Sequence, residues 1–182
     1  MRTFLAVFPD AAAQLATSRA VEAFRQKGDD IAWVQSDHLH FTLRFLGEVT
    51  EHDAKAAAEA AREVAAASVP FGVALGGFAA FPSAKQARVV WIGLLQGSEP
   101  MRRLASSLED ALGRHGIPKA EEEFEPHLTI GRLRTSANMT ARLIASDSVE
   151  VRFQVDTIFV VKSVLGKGGP VYEPLASARL GG

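Results

Sequence analysis

Two tetrapeptides constrain this chain more than any other feature: His40-Phe41-Thr42-Leu43 and His127-Leu128-Thr129-Ile130. Both read His-x-Thr-x with an apolar residue at each x, and their first residues, 40 and 127, lie nearly half of the 182-residue chain apart. Side chains alternate across a strand, so each tetrapeptide shows an imidazole and a hydroxyl on one face and anchors itself in a core with the other. Two equivalent halves facing each other would bring two imidazoles and two hydroxyls into one cleft.

The surrounding pattern fits such a body. Residues 2–8 form a β-prone apolar run, stopped by Pro9 and Asp10. Asp10 is placed to cap an Ala-rich helix over 11–27, with Gly28 as its stop. A strand is expected over 39–46. Thr50-Glu51-His52-Asp53 then reads as a capping box before a helix running to about 67. Residues 71–81 and 87–95 read as a hairpin joined by Pro82-Ser83-Ala84-Lys85. Met101, Leu104, Leu108 and Leu112 recur at helical spacing after Ser98, and Gly116 is the stop. Next come a strand over 127–133, a short helix over 140–146, an alternating stretch over 149–165 and a last segment opened by Tyr172. Strands separated now by helices and now by hairpins predict an α+β fold with largely antiparallel sheets. No low-complexity linker divides the chain, so 1–182 is expected to be one domain of two lobes.

Two imidazoles and two hydroxyls suit phosphodiester chemistry. In-line attack at phosphorus needs one group to take a proton from the attacker and another to give one to the leaving oxygen. Histidine serves either role near neutral pH. Threonine hydroxyls can donate to the non-bridging oxygens, where negative charge grows. No metal or cofactor is called for. A single His-x-Thr would be an ordinary structural feature; two copies at this spacing argue for function.

The chain resembles the 2H phosphoesterase superfamily, named for its two His-x-Thr-x motifs, and within it the RNA 2′,3′-cyclic phosphodiesterases, or LigT-like 2′-5′ RNA ligases. The likeness runs through Arg2-Thr3-Phe4-Leu5-Ala6-Val7, Trp33-Val34, the stretch from His38 to Val49, Ala87 to Gly93, Phe124 to Arg132 and Ser163 to Tyr172. It implies a bilobal fold with pseudo-twofold symmetry, two antiparallel sheets flanked by helices and a central cleft. It implies His40 as proton donor and His127 as proton acceptor, with Thr42 and Thr129 binding phosphate. Arg132 stands where such enzymes keep an arginine. Simple alternation would put it on the face opposite His127, so a bulge or strand end is required. Arg88, ahead of Trp91, is expected at the site edge, and Tyr172 either stacks on a base or closes the core. The chain departs from the family pattern at His38, where Asn is expected, and at Gly131.

The expected activity is hydrolysis of an RNA 2′,3′-cyclic phosphate end to a 2′-phosphate; the residues alone do not choose 2′ over 3′. One rival is ATP-independent 2′–5′ ligation, the reverse transesterification. Another is an RNA-end-binding module with little chemistry, against which the retained acid–base pair argues. A zinc site on His38, His40 and His127 is the metal-dependent alternative. Gly166-Lys167-Gly168-Gly169 lacks P-loop spacing and reads as a turn, and Glu121-Glu122-Glu123 as a solvated loop.

Composition bounds the remainder. There are no cysteines, which excludes thiolate, disulfide and iron–sulfur chemistry. Twenty basic residues against twenty-one acidic argue against wrapping a long nucleic acid, though not against gripping one phosphate. No run has the roughly 20 apolar residues that span a bilayer. The expected location is the cytoplasm, with no membrane contact and no obligate protein partner.

Overall fold

The computed structural model describes residues 1–181. Its elements run along the chain as β1 (Arg2–Val7), α1 (Ala11–Phe24), β2 (Ile31–Trp33), a single 3-10 turn (Ser36–His38), β3 (Phe41–Glu48), α2 (Glu51–Ala66), β4 (Phe71–Phe81), β5 (Ala87–Gln96), α3 (Ser98–Arg114), β6 (Leu128–Ala137), α4 (Thr140–Ala145), β7 (Arg152–Val155), β8 (Thr157–Gly166) and β9 (Gly169–Arg179). The strands form two sheets, ordered β3-β1-β8-β9 and β2-β6-β5-β4-β7. Every pairing is antiparallel. The fold is α+β, as the sequence predicts. Among the described residues, no helix is long and apolar enough to cross a membrane.

Local chemistry places the helices. Asp10 accepts the Ala13 N–H at 2.8 Å and starts α1. Thr50 and Asp53 close a reciprocal capping box at the head of α2. Met101, Leu104, Leu108 and Leu112 are all buried along one side of α3. α2 packs against β8 and β9, and α3 against α2 and β3. Phe24 of α1 stacks on Phe78 of β4 at 4.2 Å, carrying helix cover to the second sheet.

Three sequence expectations are corrected. The stretch 149–165 is not one strand: β7 ends at Val155 in the five-stranded sheet, and β8 begins at Thr157 in the four-stranded one. α1 stops at Phe24 rather than 27. The Phe24 carbonyl is held by Arg142 Nε and Nη2, and Asp29 takes the Gln26 N–H while pairing with Arg142. The short strand β2 was not foreseen. It pairs with β6, setting Trp33 opposite Gly131.

Candidate active site

β1 lies in the middle of its sheet and is covered on both sides. Thr3, Leu5 and Val7 are buried on one side, while Phe4, Ala6 and Phe8 join Phe159 and Val161 in a separate cluster that floors a groove. His40 lies on this floor, immediately before the first residue of β3. Its ring stacks on Phe4 at 5.0 Å, tilts against Phe8 at 5.3 Å and meets Tyr172 edge-on at 5.3 Å. His40 Nδ1 donates to the His38 carbonyl at 2.7 Å. A carbonyl can only accept, so in the neutral ring Nε2 keeps its lone pair and takes the Thr42 hydroxyl proton across 3.0 Å.

The second repeat copies the first. His127 immediately precedes β6, and its Nδ1 donates to the carbonyl two residues earlier, that of Glu125, also at 2.7 Å. This ring too has aromatic walls. Phe81 meets it edge-on at 5.2 Å and Trp91 at 5.9 Å, and those two stack on each other at 4.7 Å. One tautomer is thus imposed twice, leaving both Nε2 atoms for proton transfer. The Glu125 carboxylate is itself paired with Arg102 of α3 at 2.8 Å.

The two repeats also share a backbone irregularity. In β6, Thr129 pairs with Trp91 and Gly131 with Val90, leaving Ile130 as an extra residue. In β3, Thr42 pairs with Ala6 and Arg44 with Leu5, leaving Leu43 extra. The fourth motif position is therefore a β-bulge in both strands, and each bulge reverses the facing of the residues beyond it. This is how Arg132 comes round to the side of Thr129. Gly131 makes the turn feasible, because a Cβ there would sit 2.7 Å from Ile31 Cγ2 and 3.0 Å from the Trp33 ring. Beyond the first bulge, Arg44 turns to α3 and pairs with Glu109 at 2.6 Å, and the exposed Phe45 is covered by the Arg2 guanidinium at 4.9 Å.

Electrostatics ties the two sheets to one site. Burial against the aromatic floor pushes the His40 imidazole down to about 4; its bond to the His38 carbonyl opposes this, and charge on His38, Arg132 and His127 lowers it further. Arg132 and His127 belong to the other sheet, so both act across the groove. Burial raises the Tyr172 hydroxyl, while Arg132 and Arg2 pull it the other way.

His40 therefore touches Thr42 and Tyr172 directly, His127 and Arg132 act on it from the other sheet, and Thr129 is set by strand alternation on the same face as His127. Arg88 is exposed at an interruption of the β5–β6 register, next to the buried Ala87, and is not among the charges acting on His40. The three imidazoles do not converge on a metal. Among the described residues no three His, Cys, Asp or Glu side chains are grouped to hold one. The His38 ring instead lies against Tyr172 at 4.6 Å. Sequence reasoning missed Phe4, Phe8 and Phe81 as the walls of the two imidazoles. The available signal was the parity of 2–8, in which Phe4, Ala6 and Phe8 share the face opposite Leu5 and Val7.

The family model described as the 2′-5′ RNA ligase superfamily matches residues 8–167. Among curated proteins, the chain is 30% identical to the RNA 2′,3′-cyclic phosphodiesterase of Methanothermobacter thermautotrophicus over 184 residues, 99% of each chain. It is 32% identical to that of Aquifex aeolicus over 154 residues, 82% of each. Among solved structures, Escherichia coli LigT complexed with 3′-AMP superposes with a TM-score of 0.82 at 26% identity, covering 98% of this chain and 97% of that one. A Thermus thermophilus structure matches with the same TM-score and identity over 100% and 99%.

Proposed function

The chain belongs to the 2′-5′ RNA ligase superfamily, and from that premise we propose that it hydrolyses RNA ends bearing a 2′,3′-cyclic phosphate to 2′-phosphates by acid–base catalysis between His40 and His127. We read residues 1–182 as one domain, at work in the cytoplasm, whose two lobes each supply half of the site. The observation that carries the reading is the matched pair of imidazoles. Both have Nδ1–H given to the carbonyl two residues earlier, both have Nε2 left for a proton, and the two are coupled across one groove.

In this mechanism, water attacks phosphorus while His127 Nε2 takes its proton. The bond from phosphorus to the 3′ oxygen breaks in line, and that oxygen takes a proton from His40 Nε2. The products are a 3′-hydroxyl and a 2′-phosphate. Thr42, Thr129 and Arg132 bind the non-bridging oxygens, where charge grows. Tyr172 contacts the nucleoside, and Arg88 borders the substrate at the groove edge. In the neutral ring the Thr42 proton is spent on His40 Nε2. Protonating His40 frees that hydroxyl for the phosphate, so arming the acid and completing the oxyanion contacts are one event.

The test is an RNA ending in a 2′,3′-cyclic phosphate, incubated with the protein in excess EDTA, with the product phosphate mapped. The expected result is full turnover to a 2′-phosphate. Turnover lost in EDTA and restored by zinc would overturn the two-histidine mechanism, and a 3′-phosphate product would overturn the donor assignment.

A further inference from the structure

Between β2 and β3 the chain makes a single 3-10 turn, Ser36–His38, and this turn supplies the carbonyl to which His40 Nδ1 donates. Within it, the His38 N–H donates to the Gln35 carbonyl at 3.0 Å and the Leu39 N–H to that of Ser36 at 3.3 Å. Among the described residues no side chain caps its start. Hydrogen bonds in so short and tight a turn are poorly aligned. The direction of the His38 carbonyl therefore rests on whatever else grips the segment.

Two groups grip it. The Leu39 side chain is buried in the main core. Gln14, half-buried on α1, donates from Nε2 to the Asp37 carbonyl at 3.3 Å and to the Leu39 carbonyl at 3.2 Å. A carbonyl only accepts, so the amide nitrogen, not its oxygen, faces the turn. These two carbonyls stand on either side of that of His38. One amide thus fixes the peptide planes before and after the plane that carries it. Gln14 is itself placed from the floor of the site. Asp10, two residues beyond Phe8, caps α1, and its carbonyl accepts the Gln14 N–H at 2.8 Å. The His40 ring lies on β1 and its acceptor hangs from α1, so both are referred to one corner of the chain. In the second repeat Arg102 holds the Glu125 side chain rather than the backbone, through an exposed ion pair of the kind that contributes little.

Resting on the catalytic reading above, we propose that Gln14 is a positioning residue for the proton donor His40, acting through the His38 carbonyl. When His40 Nε2 gives its proton to the leaving oxygen, the ring keeps the proton on Nδ1, and the His38 carbonyl is the group that holds it there. Fixing that carbonyl fixes both the tautomer and the angle at which Nε2 meets the leaving oxygen, and a small misplacement of a catalytic group is costly. The same bond favours the charged ring against its burial. A carbonyl free to swing would therefore also leave the ring protonated less of the time.

Two substitutions decide the matter: Gln14→Met, which keeps the length but lacks the donor, and Gln14→Ala, which suits a helix and removes the side chain. Ring-nitrogen NMR of His40 in the free protein at pH 7 reads its tautomer and needs no turnover. The wild type should carry the proton on Nδ1, and both variants should show a mixture with Nε2. On an RNA ending in a 2′,3′-cyclic phosphate, both should lower kcat about tenfold, the upper end of what one net hydrogen bond is worth, with KM little changed. The alkaline limb of kcat, set by the protonated donor, should move to lower pH. In a His40→Ala background, Gln14→Met should cost nothing further, since the residue it acts through is gone. A helix residue that only stabilised the fold would lower Tm and leave the tautomer and the pH limb in place. That result, an undiminished kcat, or a multiplicative double variant would overturn the proposal. If the tautomer shifts as expected but the wild type does not open cyclic ends, the positioning of the ring stands and the catalytic reading falls. If both variants open cyclic ends at the wild-type rate, the catalytic reading stands and the positioning role falls.

Discussion

His40 should gain its catalytic proton only when substrate arrives. With its imidazole held at about 4, protonation at pH 7 costs about 4 kcal/mol, at about 1.4 kcal/mol for each pH unit. A phosphodiester monoanion about 4 Å from the ring would return about 4 kcal/mol at an effective dielectric constant near 20. The two quantities match, so a bound phosphate should lift His40 to about 7, where an acid is best matched to neutral pH. NMR titration of the His40 ring, assigned with His40→Gln, should give a midpoint near 4 in the free protein and near 7 with bound nucleoside 2′-monophosphate, whose charge is at least that of the diester. Calorimetry in buffers of different ionisation enthalpy should show about half a proton taken up at pH 7. A free-protein midpoint near 6.5, or one that binding leaves in place, would refute the reasoning. Because Arg132 is one of the charges holding His40 down, Arg132→Ala should raise the free-state midpoint while weakening phosphate binding.

The same burial sets a pH dependence of stability. The His40 pKa is lower folded than unfolded, so its contribution is present above about 6.5 and lost as pH falls towards 4, by at most about 3 kcal/mol before allowing for water at the half-buried ring. Urea unfolding at pH 7 and pH 4 should show a smaller loss in His40→Phe than in the wild type, and equal losses would remove this account. Gly131→Ala should lower Tm and raise KM together, since overpacking costs about 1–3 kcal/mol and displaces the turn that aims Arg132. Its control is Gly113→Ala in α3, where an added Cβ meets nothing within 4 Å. His40→Ala and His127→Ala should each lower kcat by about 10²–10⁴-fold, and the double variant should fall far short of the product of the two, as for groups acting as a unit. A multiplicative double variant would show that they act separately.

What was legible in the sequence is what nearest neighbours decide. The Thr50–Asp53 box, the apolar stripe of α3 and the 71–95 hairpin are short-range patterns, and all three formed where expected. The paired histidines were legible because a repeat is itself a long-range signal. The end of α1 was not. Arg25, Gln26 and Lys27 are good helix formers, and the helix is stopped by Arg142, a residue 118 positions from Phe24. Alternation through 149–165 hid the change of sheet, although its phase records it: the positions that face the main core are odd up to Val155 and even at Ile158 and Val160, with Val161 buried on the opposite face. The bulges at Leu43 and Ile130 leave no compositional mark, because an apolar residue there reads as one more inward position. The need for one could be argued from Arg132; its place, and its twin in β3, could not.

The pairing of β1 with β8 has a consequence in time. Thr3 lies opposite Lys162, so β1, one of the two inner strands of the four-stranded sheet, waits from residue 3 to residue 162 for this neighbour. At roughly 5–20 residues added per second, ribosomal synthesis would leave β1 without this neighbour for roughly 8–30 s. Through that interval only β3 can pair with it, and Phe4 and Phe8 have neither Phe159 nor Val161 beside them. The aromatic floor that later keeps His40 neutral is thus, at birth, an apolar strand with one edge bare, the kind of surface chaperones bind. A nascent copy therefore cannot complete the aromatic setting of His40 before β8 and Tyr172 have emerged.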